Sequence, residues 1–186
     1  KLEAILREER AKYRNCMVVI EGLYSTEGDI PDLARVIEIK EKYGAWLMVD
    51  DAHGAGVLGT GARGLAEHCG VDPRKVDIWM GTLSKAFASV GGYIAGDAEL
   101  IEVLKHSAPG FVFSVGLPPP MGAIALTALR IIRREPERVA RLHRNGKQFL
   151  EEAHARGLDT VARSAMACCR SWWAPRPAPQ SWSTEC

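Results

Sequence analysis

Three observations predict an α/β chain, with a central, mostly parallel sheet sandwiched by helices. Apolar or β-branched runs of strand length stand at 17–20, 45–49 and 76–80. The stretches between them are long enough for crossover helices, and 31–43 carries helical apolar spacing at Leu33, Val36, Ile37 and Tyr43. With 186 residues, 47% hydrophobic and 25% charged, the chain suits one globular domain with a sizeable core.

Taken in order, 1–13 is a charged amphipathic segment that opens the chain as a helix, and 17–20 is a β-branched strand ending at Glu21 and Gly22. Pro31 is placed for the first turn of the next helix and Gly44 stops it, ahead of the apolar strand 45–49. Strands follow at 76–80 and 92–95; Asp97 then caps a helix whose apolar face is Leu100, Ile101, Val103 and Leu104. The run 111–113 reads as strand, and Pro118, Pro119 and Pro120 as a turn that delays the next helix to 121–134. Pro136 starts a last helix that reaches about Arg156, before Gly157. These elements make 1–157 the folded portion. The remainder, 158–186, is atypical: between 161 and 186 lie three of the five tryptophans, three of the five cysteines and three of the ten prolines, with no period to organise them. It is expected to be either a disordered end or the product of a shifted reading frame.

Composition excludes several function classes. With 24 basic and 23 acidic residues the formal charge is +1, which gives no nucleic-acid footprint and no polybasic membrane patch. Cys16, Cys69, Cys168, Cys169 and Cys186 form no CxxC and no zinc spacing, so a reduced, cytoplasmic location and no metal are expected. No signal or transit peptide is visible. The uncharged stretch 107–129 is long enough to span a bilayer, but its three central prolines would break a spanning helix, and no membrane span is expected.

The chemistry concentrates in two motifs. Lys85 follows the strand 76–80 in a small, weakly polar loop, a setting that favours the neutral amine able to condense with an aldehyde. Asp50, at the carboxyl end of the strand 45–49, is placed to keep a pyridinium nitrogen protonated. A lysine that forms a Schiff base and an aspartate on the ring nitrogen are what pyridoxal phosphate needs as an electron sink. Asp51 points to the opposite face of the same strand, so one role does not serve both aspartates. His53 lies where a turn brings its imidazole to the same ligand, to bond a phenolate or steer a carbonyl. Thr82 either meets a cofactor phosphate or satisfies a strand-end backbone group, and Ser25, after the first strand, is placed to meet the same crevice. Gly54, Gly56 and Gly59 spell a dinucleotide fingerprint, yet the segment runs on through Gly61 and Gly64 and opens no helix. Arg63 is a solvated loop arginine by default, with anion binding as the alternative.

In 21–29, 47–59, Arg63-Gly64 and 81–92 the sequence closely resembles the α-oxoamine synthases, the group of fold-type I pyridoxal phosphate enzymes that includes glycine C-acetyltransferase, 8-amino-7-oxononanoate synthase, 5-aminolevulinate synthase and serine palmitoyltransferase. The likeness runs from the first helix to about Gly157 in the same motif order. It implies the large domain of a dimeric transferase that condenses an amino acid with an acyl thioester, loses the carboxylate and releases an α-aminoketone. It implies that Lys85 holds pyridoxal 5'-phosphate covalently and shuttles the α-proton, that Asp50 pairs with the ring nitrogen and that His53 bonds the phenolic oxygen. Ser25 and Thr82 match cofactor-contacting positions, and Ser114 resembles a position that reaches the phosphate across the dimer interface.

Two departures stand out. Ala88 occupies a position where the family commonly has glycine. The family is about twice as long, which makes this a fragment, with the atypical tail where the small domain should begin. Three alternatives remain: another fold-type I branch such as an aminotransferase, a truncated and inactive chain, or a nucleotide-binding module on 54–59.

Overall fold

Leu33, Leu47, Val49, Leu58 and Leu65 lose all or nearly all solvent contact, and the elements around them define the fold. The computed structural model describes residues 1–158 and Thr160. Helix α1 (Leu2–Glu9) and a 3-10 turn (Arg10–Lys12) lead into β1 (Met17–Glu21). Then come α2 (Leu33–Lys42), β2 (Trp46–Asp50), the short α3 (Leu65–Cys69), a second 3-10 turn (Pro73–Lys75) and β3 (Ile78–Thr82). β4 (Gly92–Gly96), α4 (Ala98–Ser107), α5 (Pro109–Val112), α6 (Pro119–Arg134) and α7 (Glu137–Ala155) complete the order.

The sheet order is β1-β2-β3-β4, with β1, β2 and β3 parallel and β4 antiparallel to β3. The reversal follows from chain length: the loop between β3 and β4 is too short for a crossover helix, and Leu83 N–H donates to Gly91 O across its neck at 2.8 Å. The fold class is therefore α/β, a mixed sheet flanked by helices. Register aligns Glu21 with Asp50 and Asp50 with Met80, so the parallel strands end at one edge.

One face of β1 and β2 is covered. Val18, Leu47 and Val49 join Leu33 and Ile37 of α2, Leu65 of α3, and Leu58 in one buried cluster. On the opposite face Met17, Val19 and Trp46 are about half exposed. Asp32 caps α2 by accepting from Arg35 N–H at 3.0 Å, so Pro31 precedes the cap instead of entering the first turn. Near the other end of α2, the Lys40 amine lies 2.9 Å from Asp77 Oδ2, and the same oxygen accepts Leu47 N–H at 2.7 Å. Asp77 is thereby spent fastening α2 to the sheet, and β3 starts at Ile78, two residues later than the apolar run suggests.

Three expectations require correction. The run 111–113 belongs to no strand: α5 covers Pro109–Val112, and Phe113 N–H donates to Pro109 O at 3.1 Å. Three apolar residues are too few to separate the two periods, and Pro109 suits a first helical turn. Pro119 and Pro120 do not delay the following helix but form its first turn, where a missing N–H costs nothing. Asp97 occupies the N-cap of α4 without making a side-chain cap bond. The reading of 158–186 as an atypical tail falls, apart from Leu158 and Thr160, outside the described residues.

Candidate active site

The carboxyl edge of the three parallel strands gathers most of the expected residues. Asp50 ends β2 half-buried, and its Oδ1 accepts Ala52 N–H at 3.0 Å while Oδ2 makes no bond to the described residues. Gly22 N–H donates to Asp50 O at 2.7 Å and Asp51 N–H to Met80 O at 2.8 Å, which locks the strand end between its two neighbours. The Asp51 carbonyl accepts from both Gly54 N–H and Ala55 N–H, at 3.1 and 2.9 Å. That turn carries His53, half-buried, with its ring unbonded to the described residues. The segment 54–64 continues as turns and does not open a helix, as expected.

Strand parity sends Asp51 the other way, into the core. It is 5% exposed; Oδ2 accepts Leu65 N–H at 3.1 Å, and Oδ1 has no partner among the described residues. Burial, reinforced by the Asp50 charge, pushes its carboxyl up to about 6.

Lys85 stands three residues past the end of β3 and is exposed, which corrects the expectation of a poorly solvated amine. An apolar strand immediately before Lys85 therefore does not by itself shield its side chain. Its backbone is nonetheless well tied: Ala88 N–H donates to Lys85 O at 3.0 Å, Ser89 N–H to Leu83 O at 2.8 Å, and Ser89 Oγ to Met121 O of α6 at 2.7 Å. Ala88 holds a φ of 51°, the left-handed region that favours glycine, which is the residue the family resemblance leads one to expect there. Thr82 Oγ1 lies 2.8 Å from Ser84 Oγ, donates to Gly91 O at 3.2 Å and accepts Ser84 N–H at 3.2 Å. Its hydroxyl thus serves the strand end while remaining at the edge.

Ser25, four residues past β1, is exposed at the same edge, and its N–H donates to Glu21 Oε2 at 3.2 Å. Ser114 is not brought there: it lies on the exposed connection between α5 and α6, beside Phe113 and Val115, which are 87% and 96% exposed. Arg63 and Arg133 line a cavity of about 400 Å³ with Ala55, Phe87 and Tyr93, just beyond His53 and Lys85 in sequence. Among the described residues no group of His, Cys, Asp or Glu is placed to hold a metal, and no helix is long and apolar enough to cross a membrane. Sequence reasoning missed the enclosure of Asp51; its only signal was the set of glycines at 22, 54 and 64.

Known proteins place this geometry. An 8-amino-7-oxononanoate synthase from Thermosipho melanesiensis is 48% identical over 159 residues, and the aligned region covers 86% of this chain and 40% of that protein. A homologous synthase from Bacillus pumilus is 42% identical over 161 residues, 87% of this chain and 41% of that protein. The chain therefore spans about two-fifths of the length of these relatives. Among solved structures, the serine palmitoyltransferase of Sphingomonas wittichii superposes with a TM-score of 0.79 at 32% identity, over 87% of this chain and 41% of that one. An 8-amino-7-oxononanoate synthase from Francisella tularensis superposes with a TM-score of 0.71 at 28% identity, over 86% and 47%. A further serine palmitoyltransferase, TM-score 0.71 and 27% identical, covers 88% of this chain and 42% of its own, and it holds a PLP internal aldimine. The sequence model for aminotransferase class I and II matches residues 1–175, and the chain belongs to that family.

Proposed function

We propose that this chain is the central cofactor-binding portion of a pyridoxal 5'-phosphate-dependent acyltransferase, one that joins an amino acid to an acyl thioester with loss of the amino acid's carboxylate. The observation that carries the reading is the pairing of Asp50 at the end of β2 with Lys85 just past β3, at one edge of the sheet, in a chain 48% identical over 159 residues to an 8-amino-7-oxononanoate synthase. The donor set fits the group. Asp50 keeps one carboxylate oxygen unbonded for a ring N–H, Lys85 presents an amine without an ion pair among the described residues, and hydroxyls stand at Thr82 and Ser25. When bound, the group delocalises charge that develops at the substrate α-carbon.

Lys85 would hold the cofactor through Nζ and move the proton at the α-carbon. Asp50 would keep the ring nitrogen protonated, and His53, on its turn, would bond the phenolic oxygen and orient the incoming acyl carbonyl. Thr82 and Ser25 would contact the cofactor from the ends of β3 and β1. Ser114, exposed in its own chain, would reach the phosphate of a second copy, so the reading includes a homodimer, located in the cytoplasm. The alternative is a chain that binds the cofactor but is catalytically silent.

Borohydride trapping tests the first step. Pyridoxal 5'-phosphate added to the chain should give a reduced adduct on Lys85 that peptide mass spectrometry locates, and Lys85→Ala should abolish it. Equal trapping by the alanine variant would sink the proposal. Amino-acid-dependent thiol release from a panel of acyl thioesters then separates the two readings.

A further inference from the structure

Asp51 sits beside the site but faces away from it, and its surroundings are specialised. A Cβ placed on Gly22 would lie 2.2 Å from Asp51 Oδ1, one on Gly54 2.0 Å from the same oxygen, and one on Gly64 1.8 Å from Oδ2. No side chain fits at any of the three positions, because the carboxyl already occupies the space. The three glycines come from different places: the end of β1, the turn after His53, and the residue before α3. Among the described residues the one hydrogen bond to the carboxyl comes from Leu65 N–H, the first residue of α3. One buried acid therefore joins both ends of the loop that starts at His53 to the ends of two strands.

We propose that Asp51 is a positioning residue of the candidate site: its enclosed carboxyl fastens the loop 52–64 to β1 and β2 and so sets the placement of His53 relative to Asp50. This rests on the reading of His53 and Asp50 as cofactor-facing groups. A hydrophobic residue of similar size would fill the space but could not accept the Leu65 N–H, which would then be buried without a partner. Two ionisable groups are electrostatically coupled to the carboxyl: the neighbouring Asp50, whose charge raises it, and Tyr93 of β4, whose phenol is pushed up by its own burial and then by the Asp51 charge. Both are acids, so neither stabilises an anion at Asp51, and its raised pKa agrees with a carboxyl retained for shape and for one accepted bond.

The test needs no cofactor. Amide hydrogen exchange and the His53 ring resonances are followed in the parent, in Asp51→Ala and in Asp51→Asn. Asp51→Ala should speed exchange at Leu65 and in 52–64 by about tenfold, the effect of losing one such bond, and should shift the His53 ring resonances. Val18 and Leu47 amides should stay unchanged. Asp51→Asn, of the same shape, should keep the Leu65 protection but lose the change in loop amide shifts that the parent shows around its folded titration at about pH 6. Unchanged His53 and Leu65 signals in the alanine variant, or changes spread equally to Val18 and Leu47, would overturn the assignment. If the alanine variant does not fold, a parent-like pH response in Asp51→Asn overturns it instead. Borohydride trapping on the same samples reads the cofactor assignment separately: a parent that shows the loop effects and traps nothing removes that assignment and leaves the loop result standing.

Discussion

Leu33, Leu47, Val49, Leu58 and Leu65 are fully shielded, whereas Phe111, Phe113 and Val115 are 64%, 87% and 96% exposed in stretches that are just as apolar. The same contrast divides the described chain. Up to Ile78 the apolar residues on one face of the strands and helices close on one another, while Met17, Val19 and Trp46 on the opposite face stay about half exposed. Beyond it only Val139 and Ala153 are buried hydrophobics among the described residues, although α6 and α7 present Ile124, Leu126, Leu129, Leu142 and Phe149. Between β4, α4 and α5 a cavity of about 580 Å³ remains, lined by Tyr93, Ile94, Ile101, Leu104 and Phe111. The lesson concerns what holds a helix. Amphipathic pattern makes a helix possible, but most of its stability comes from a partner face, and α4 to α7 find little of one among the described residues.

That contrast is easiest to break with truncations. Leu47→Ala should cost about 2–5 kcal/mol in urea unfolding, through lost burial and the cavity left behind. Phe113→Ala should change stability by less than about 0.5 kcal/mol, as a surface site does. Equal losses would show that the second region packs as tightly as the first.

Next in size is the pH response of the packed region. An acid with a raised folded pKa binds more protons folded than unfolded between its two values, so stability falls as pH rises through that interval. For Asp51 the interval runs from near 3.8 to about 6. The expected loss across it is about 3 kcal/mol, flat on either side. Urea melts of the parent and Asp51→Asn should differ by this step, since the other titrating groups cancel in the difference. A constant difference would remove it.

Lys40→Ala should cost about 1–3 kcal/mol, because Asp77 keeps its bond to Leu47 N–H but loses its cation in a partly buried place. The change should appear in chemical denaturation and leave exchange in α6 and α7 alone. Smallest is Ala88→Gly. Relief of the left-handed backbone at φ 51° is offset by the freedom glycine gains when unfolded, and a net gain of no more than about 1 kcal/mol is expected. A loss would mean that the alanine methyl packs usefully in the Lys85 loop.

Much of the packed region was legible in advance. The 17–20 and 45–49 runs lie within one residue of β1 and β2, and Leu33 and Ile37 face inward as their spacing predicts. Asp50 and Lys85 were placed at adjacent strand ends by their distance past an apolar run alone. The errors share a cause. Pro109, Pro119 and Pro120 were ambiguous because proline both ends a helix and begins one. The exposure of Lys85 was invisible because local polarity does not report whether a loop is covered from above. Asp51 was turned away from the site by strand parity, but its enclosure by Gly22, Gly54 and Gly64 depends on segments that meet only in the fold.

The sequence by itself determined the alternation of strands and helices in the packed region, the inward face of α2, and the family that its motifs share with known synthases. These follow from period, capping residues and motif spacing, which act over a few positions. Only the tertiary structure decided that β4 runs antiparallel, that Asp51 lies between Gly22, Gly54 and Gly64, and that α4 to α7 have few buried apolar residues among those described. Each of these depends on which distant surfaces meet, and burial is a property of the meeting rather than of either segment.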